Sequence, residues 1–226
     1  GCIGLTRVEI PDGVTIIGAF AFSGCTGLTS IEIPNSVTSI RYFAFSGCTG
    51  LTSLEIPASV INIEDSAFSG CQNLTSIIVD KKNQKYDSRN DCNAIIDTQT
   101  NALIMACKNT IIPEDIKSIG VDAFYRCTGL TSIKIPDSVT SIGDSVFSGC
   151  TSLKSIEIPN SVTSIGDSAF SGCIGLTSII IPNSVTSMGD EVFNMCKAIT
   201  VYCEVLERPS GWSEWWNYSN YGNCNV

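Results

Sequence analysis

LKSIEIPNSVTSIGDSAFSGCIG, residues 153–175, decides the fold, because moving it by 23 residues in either direction finds it again almost letter for letter. Leucines aligned on Leu153 stand at Leu5, Leu28, Leu51, Leu74, Leu130 and Leu176, and Ile199 closes the series. A fixed period of this length is the mark of a solenoid. Within the unit, Ser155-Ile156-Glu157-Ile158 alternates polar and apolar, as a strand with one buried face does. Pro159-Asn160-Ser161 is turn chemistry and removes a ladder donor. Val162 to Ile165 reads as a second short extended piece that stops at Gly166. Asp167 is placed to N-cap a one-turn helix holding Ala169 and Phe170, which Gly172 breaks.

One such unit cannot bury Leu153, Ile156, Ile158, Val162, Ile165 and Phe170 alone. Stacked on copies of itself it can, each apolar position becoming a column. The phenylalanine column is Phe22, Phe45, Phe68, Phe124, Phe147, Phe170 and Phe193; the proline column runs from Pro11 and Pro34 to Pro159 and Pro182. The expected fold is a β-rich repeat solenoid of 23-residue coils. A parallel sheet forms its concave face, with short strands and one-turn helices on the convex side.

This pattern resembles leucine-rich repeats of the Treponema pallidum type, found in BspA-like bacterial surface proteins, whose units read C-x-x-L-x-x-I-x-I-P-x-x-V-x-x-I-G-x-x-A-F. The resemblance covers almost the whole chain. It implies a leucine-rich-repeat superhelix and a surface-displayed module that binds other macromolecules; it names no ligand, since repeat folds serve many partners.

Along the chain, residues 1–73 read as regular coils, 74–106 as a variant coil, 107–198 as regular coils again and 199–226 as a C-terminal cap, all in one domain. The variant coil carries the polar run Asp80 to Cys92, then two strands, Asn93–Asp97 and Ala102–Ala106, joined as a hairpin. Lys81, Lys82, Lys85, Tyr86 and Arg89 are its candidate contacts if it is a recognition loop; the other reading is a tolerated insertion that bends the coil. A calcium site through Asp80, Asp87 and Asp91 matches no loop motif. The tail gathers Trp212, Trp215, Trp216, Tyr218 and Tyr221. These aromatics read as a cap over the open end of the core, or as a platform for carbohydrate.

Of the 226 residues 43% are apolar and 15% charged, the profile of an ordered chain. A net charge of −9 speaks against nucleic acid and against anionic membrane surfaces. No apolar run approaches the roughly 18 residues needed to cross a bilayer. The opening Gly1-Cys2-Ile3-Gly4 reads as the tail of a repeat whose body lies upstream, so an exported, extracellular or cell-surface protein is expected, trimmed of its signal. Of 12 cysteines, Cys2, Cys25, Cys48, Cys71, Cys127, Cys150, Cys173 and Cys196 share one repeat position and read as a column of small buried thiols. Cys107 takes a leucine position; Cys92 lies off the column. Cys203 and Cys224 are the candidate disulfide, closing a loop over the end. With no histidine, no phosphate loop and no catalytic constellation, neither enzyme activity, cofactor nor metal is expected.

Binding residues should be those that face solvent between the buried strand positions: Arg7, Glu9, Ser30, Glu32, Ser53, Glu55, Ser132, Lys134, Ser155 and Glu157, with Ser76, Ile78, Ser178 and Ile180 in the same rows. Glu9, Glu32 and Glu55 stack as like charges about 5 Å apart, which favours a basic partner or only a solvated face. The expected function is a monomeric, non-catalytic adhesion module that binds a host or microbial protein. The alternatives are carbohydrate binding by the tail, and ice or crystal binding by threonine columns such as Thr38, Thr140, Thr163 and Thr186.

Overall fold

The computed structural model describes residues 1–218 and the backbone of 223–225. In chain order the strands are β1 (Ile16–Ile17), β2 (Ser39–Ile40), β3 (Ser53–Ile56), β4 (Asn62–Ile63), β5 (Ser76–Val79), β6 (Tyr86–Asp87), β7 (Ala94–Asp97), β8 (Ala102–Ala106) and β9 (Ser118–Ile119). They continue with β10 (Ser132–Ile133), β11 (Ser141–Ile142), β12 (Ser155–Ile156), β13 (Ser164–Ile165), β14 (Ser178–Ile181), β15 (Ser187–Met188), β16 (Thr200–Cys203), β17 (Gly211–Trp212) and β18 (Asn223–Asn225). Successive coils pair in parallel and in strict repeat register: Ser141 lies opposite Ser164 and Ile142 opposite Ile165.

The leucine strands form the parallel ladders β3-β5, β10-β12 and β14-β16-β18. Backbone bonds at the same repeat position, such as Thr29 N–H to Thr6 O at 3.3 Å, extend them. The second strands make the longer sheet. There β17-β15-β13-β11-β9 run in parallel onto β8, and β7 and β6 follow antiparallel. The leucine, isoleucine, valine and phenylalanine columns are buried, with Leu28, Val37, Phe45, Leu51, Phe147 and Leu153 fully enclosed. Phe45 and Phe68 stack at 5.2 Å between ring centroids, as do Phe124 and Phe147.

The third side of each coil differs from the expected one-turn helix. Its second residue takes the left-handed conformation, with φ 53° at Ser145 and 54° at Ser168, so helical hydrogen bonding cannot propagate. Donors turn outward to the next coil instead: Ser168, Phe170 and Gly172 N–H reach the carbonyls of Asp190, Val192 and Asn194 at 2.8, 2.9 and 2.7 Å. Among the described residues the one helical turn is a 3₁₀ turn at Arg89–Asp91. Asp167 is not an intra-coil cap either. Its carboxylate accepts the N–H of Asp190 at 2.7 Å, while Asp167 N–H donates to Asp144 at 2.9 Å, so the aspartates tie coil to coil.

The cysteine column follows the same logic. The thiols of Cys48, Cys150, Cys173 and Cys196 donate to the carbonyls of Phe22, Phe124, Phe147 and Phe170, each in the coil before, at 3.0–3.2 Å. Burial pushes the Cys48, Cys92 and Cys196 thiols up to about 11 and Cys127 to about 12. Cys2, by contrast, is exposed. The Cys203–Cys224 bridge falls outside the described residues, since Cys224 is described by its backbone alone.

The variant coil lies between two cores. Ile95, Met105 and Cys107 belong to the core of the N-terminal coils, whereas Cys92, Ala94, Ile96, Leu103 and Ala106 belong to that of the C-terminal coils. Period-2 alternation in β7 and β8 thus makes the hairpin a two-sided layer that covers both open ends. Trp212 and Trp216 are buried in the second core, Trp216 edge-on to Phe193 at 6.2 Å and Trp212 donating its indole N–H to Val185 O at 2.9 Å.

Candidate functional site

The leucine strands alternate strictly, so every second side chain is forced outward; β3 and β14 each read exposed, buried, exposed, buried. Arg7, Glu9, Ser30, Glu32, Ser53, Glu55, Ser132, Lys134, Ser155 and Glu157 all emerge exposed, on one face. Register aligns them in rows, with Ser53 opposite Ser76, Glu55 opposite Ile78 and Ser132 opposite Ser155. Lys134 is already engaged, its ammonium 2.8 Å from Glu114.

Shallow grooves run along this face. One is lined by Arg7, Glu9, Asp12, Ser30 and Glu32, the next by Glu32, Ser53, Glu55, Ile78 and Asp80, and a third by Asp137, Ser155, Glu157, Ser178, Ile180 and Glu204. Carboxylates dominate all three. Ile78 and Ile180 line two of them, and with Ile111 and Tyr202, outside the three grooves, they are the exposed apolar side chains here, between 51% and 75% accessible. Sequence reasoning missed Ile111 and Tyr202. With Cys107 in the leucine position Ile111 falls in the row of Lys134, but buried Thr110 stands where Ile133 does, so the polar–apolar alternation that marks outward residues is inverted there; Tyr202 pairs with Ile180 in register from inside the tail.

Of the insertion residues, Lys81 and Lys82 are exposed. Lys85 lies 2.7 Å from Asp97 and 2.9 Å from Gln99 Oε1. Burial raises the Asp97 carboxyl, but Lys85 and the Thr100 and Gln99 amides outweigh it and hold the group below its ordinary value. Tyr86 is buried; its hydroxyl accepts the N–H of Ile63 at 2.9 Å, and burial raises its pKa. Arg89 bridges Asp87, Asn101 and Asp115. Lys85 therefore ties the polar run to its own hairpin, while Tyr86 and Arg89 fasten the variant coil to the coils before and after it. Among the described residues no group of three or more acidic or thiol side chains could hold a metal ion, and no helix is long and apolar enough to cross a membrane.

In the tail, Trp212 and Trp216 point inward while Trp215 and Tyr218 are exposed, edge to face at 5.5 Å; Tyr221 lies outside the described residues. The threonine columns spend their donors inside the solenoid. Thr140, Thr163 and Thr186 hydroxyls each bond the carbonyl one coil back, that of Lys117, Thr140 and Thr163.

A family model described as the BspA-type leucine-rich repeat region matches residues 1–93 and 95–205, in 6 copies. Among solved structures, a leucine-rich cell surface protein from Faecalibacterium prausnitzii is 35% identical with a TM-score of 0.68, the match covering 87% of this chain and 59% of that one. A leucine-rich repeat protein from Bacteroides ovatus is 27% identical, TM-score 0.54, over 90% of this chain and 57% of its own. The pneumococcal vaccine antigen PcpA, 22% identical with a TM-score of 0.77 over 92% of this chain and 55% of its own, shares the fold. This chain thus spans somewhat over half the length of these three relatives. No curated protein matches it.

Proposed function

This chain belongs to the BspA-type leucine-rich repeat family, and from that premise we propose that it is a non-catalytic interaction module, displayed outside the cell, which holds a protein partner on its leucine-strand face. One observation carries the reading: a continuous row of outward carboxylates, Glu9, Glu32 and Glu55, leads into exposed Ile78 and Ile111 and later into Ile180 and Tyr202. Apolar anchors on an otherwise polar face are the composition of a docking surface. Stacked carboxylates repel one another until a cationic partner arrives. The partner is therefore a protein segment that pairs Lys or Arg with aliphatic side chains. The neighbour from F. prausnitzii, named as a cell surface protein, supports display outside the cell, and the family's repeat architecture supports protein binding.

The test passes the array over surfaces coated with extracellular-matrix proteins or mucin, at rising salt. The expected result is binding that weakens with salt and falls in Glu32→Lys/Glu55→Lys and in Ile180→Asp, with the far-UV spectrum unchanged. Binding that survives both sets of substitutions removes the leucine-strand face from the reading.

A further inference from the structure

The third side of the first two regular coils carries an aromatic cluster that the later coils do not repeat. The left-handed position of the turn holds Ser66, Asp122, Ser145, Ser168 and Glu191 in later coils, but Phe20 (φ 59°) and Phe43 (φ 54°) here. Left-handed dihedrals are costly for a bulky side chain. The same geometry turns that side chain away from the core, leaving Phe20 58% exposed. Beside them stands Tyr42, 47% exposed, where later coils have Asp65, Asp144 and Asp167. The two phenylalanine rings stack at 5.3 Å, and Tyr42 stands across them at 89° to Phe20 and 71° to Phe43. At Phe20 strain and exposure coincide, with strained, partly buried Phe43 behind it and exposed Tyr42 beside it, which points to a use outside folding.

The surroundings choose the ligand class. Arg41 and Glu64 pair at the border of the cluster, and Tyr42 N–H donates to the second Glu64 oxygen at 3.0 Å. The ion pair cancels in charge yet offers donors and acceptors beside aromatic rings, which suits an uncharged polyol with an apolar face better than a charged chain. Size points the same way. Aromatic side chains present about 150–250 Å² each, so half-exposed Phe20 and Tyr42 with the outer part of Phe43 offer on the order of 250 Å². That falls well short of the roughly 800 Å² per partner of a standard protein interface, but covers one or two pyranose rings. We infer that Phe20, Tyr42 and Phe43, with Arg41 and Glu64, form a glycan-binding site. It is separate from the leucine-strand face and from the tryptophans of the tail.

The test pairs binding with stability. The array is applied to a printed panel of neutral and sialylated oligosaccharides, alongside Phe20→Ser/Phe43→Ser, which restores the residue of the later coils, and Tyr42→Ser. The expected result is selective glycan binding by the native chain, lost by about tenfold or more in both variants, with a melting temperature unchanged or raised in the double serine variant. A fall in melting temperature would make the rings structural. Absence of glycan binding, binding that the variants retain, or capture only of deglycosylated protein through this cluster would each overturn the assignment. Loss of Glu32 and Glu55 should leave glycan binding intact, which separates this site from the proposed protein-binding face.

Discussion

Ser66 donates a hydrogen bond to the carboxylate of Asp122 at 2.6 Å, joining residues 56 apart in sequence across the variant coil. The bond exists because β7 and β8 replace one coil's turn, so the turns of the coils on either side meet directly. Burial raises the Asp122 carboxyl, and neighbouring Asp144 and Asp65 add to the rise, against opposing bonds from Ser66 and Ser69.

A raised carboxyl pKa in the folded chain means that the native state binds more protons than the unfolded one between the two pKa values. Stability from this group therefore falls as pH rises through that window and is recovered on acidification. Asp122→Asn keeps an acceptor for Ser66 and removes the charge. Thermal melts should show the variant gaining on the native chain more at pH 7 than near pH 4; an equal difference at both would contradict the buried charge.

Gly18 and Gly166 share a repeat position but not an environment. A Cβ on Gly166 would lie 2.2 Å from Asp144 Oδ1 and 2.6 Å from its backbone nitrogen, whereas one on Gly18 meets nothing within 4 Å. Gly166→Ala should cost about 1–3 kcal/mol by forcing coils apart, and Gly18→Ala little or nothing. Urea titration of both variants decides it, and equal costs would refute inter-coil crowding.

Phe147 is wholly enclosed, with Phe124 stacked at 5.2 Å on one side and Phe170 at 5.4 Å on the other. Phe147→Ala should cost about 3–5 kcal/mol through the cavity it leaves. An unchanged denaturation midpoint would sink the column.

A thiol held near 11, such as Cys48 or Cys196, is thiolate only about once in a thousand molecules at pH 8. Ellman's reagent should label exposed Cys2 within minutes and reach the column only after denaturant is added. Rapid labelling of Cys150 or Cys173 in the native chain would show that the coils open.

Tyr86→Phe tests the fastening of the hairpin. It strands the N–H of Ile63, now 2.9 Å from the tyrosine oxygen, at about 1–3 kcal/mol for a buried unpaired donor. Hydrogen exchange at Ile63 should accelerate; an unaltered rate would mean that the N–H has another acceptor.

The columns were legible because each coil repeats the same burial problem, so Leu153, Ile156, Val162 and Phe170 announce themselves many times over. What a single unit hides is where its polar atoms go. Asp167 followed by Ser-Ala-Phe has the composition of a capped helical turn; only the neighbouring coil, which supplies Asp190 N–H, turns it into an inter-coil tie. Tyr86 and Arg89 looked like surface residues inside a polar run, because their partners, Ile63 and Asp115, sit in coils that the run itself displaces. The outward residues were readable from period-2 alternation alone, except where buried Thr110 and exposed Ile111 invert it and where Tyr202 lies in the tail.

The hairpin of β7 and β8 acts as a bulkhead. Ile95 and Met105 seal one compartment, while Ala94, Ile96 and Leu103 seal the other. The apolar interiors of the two blocks are separate, joined side chain to side chain at the turns by Ser66 and Asp122, so a breach at one end need not flood the whole hull. Melting should then proceed as two overlapping events, and proteolysis of a frayed end should halt at this wall.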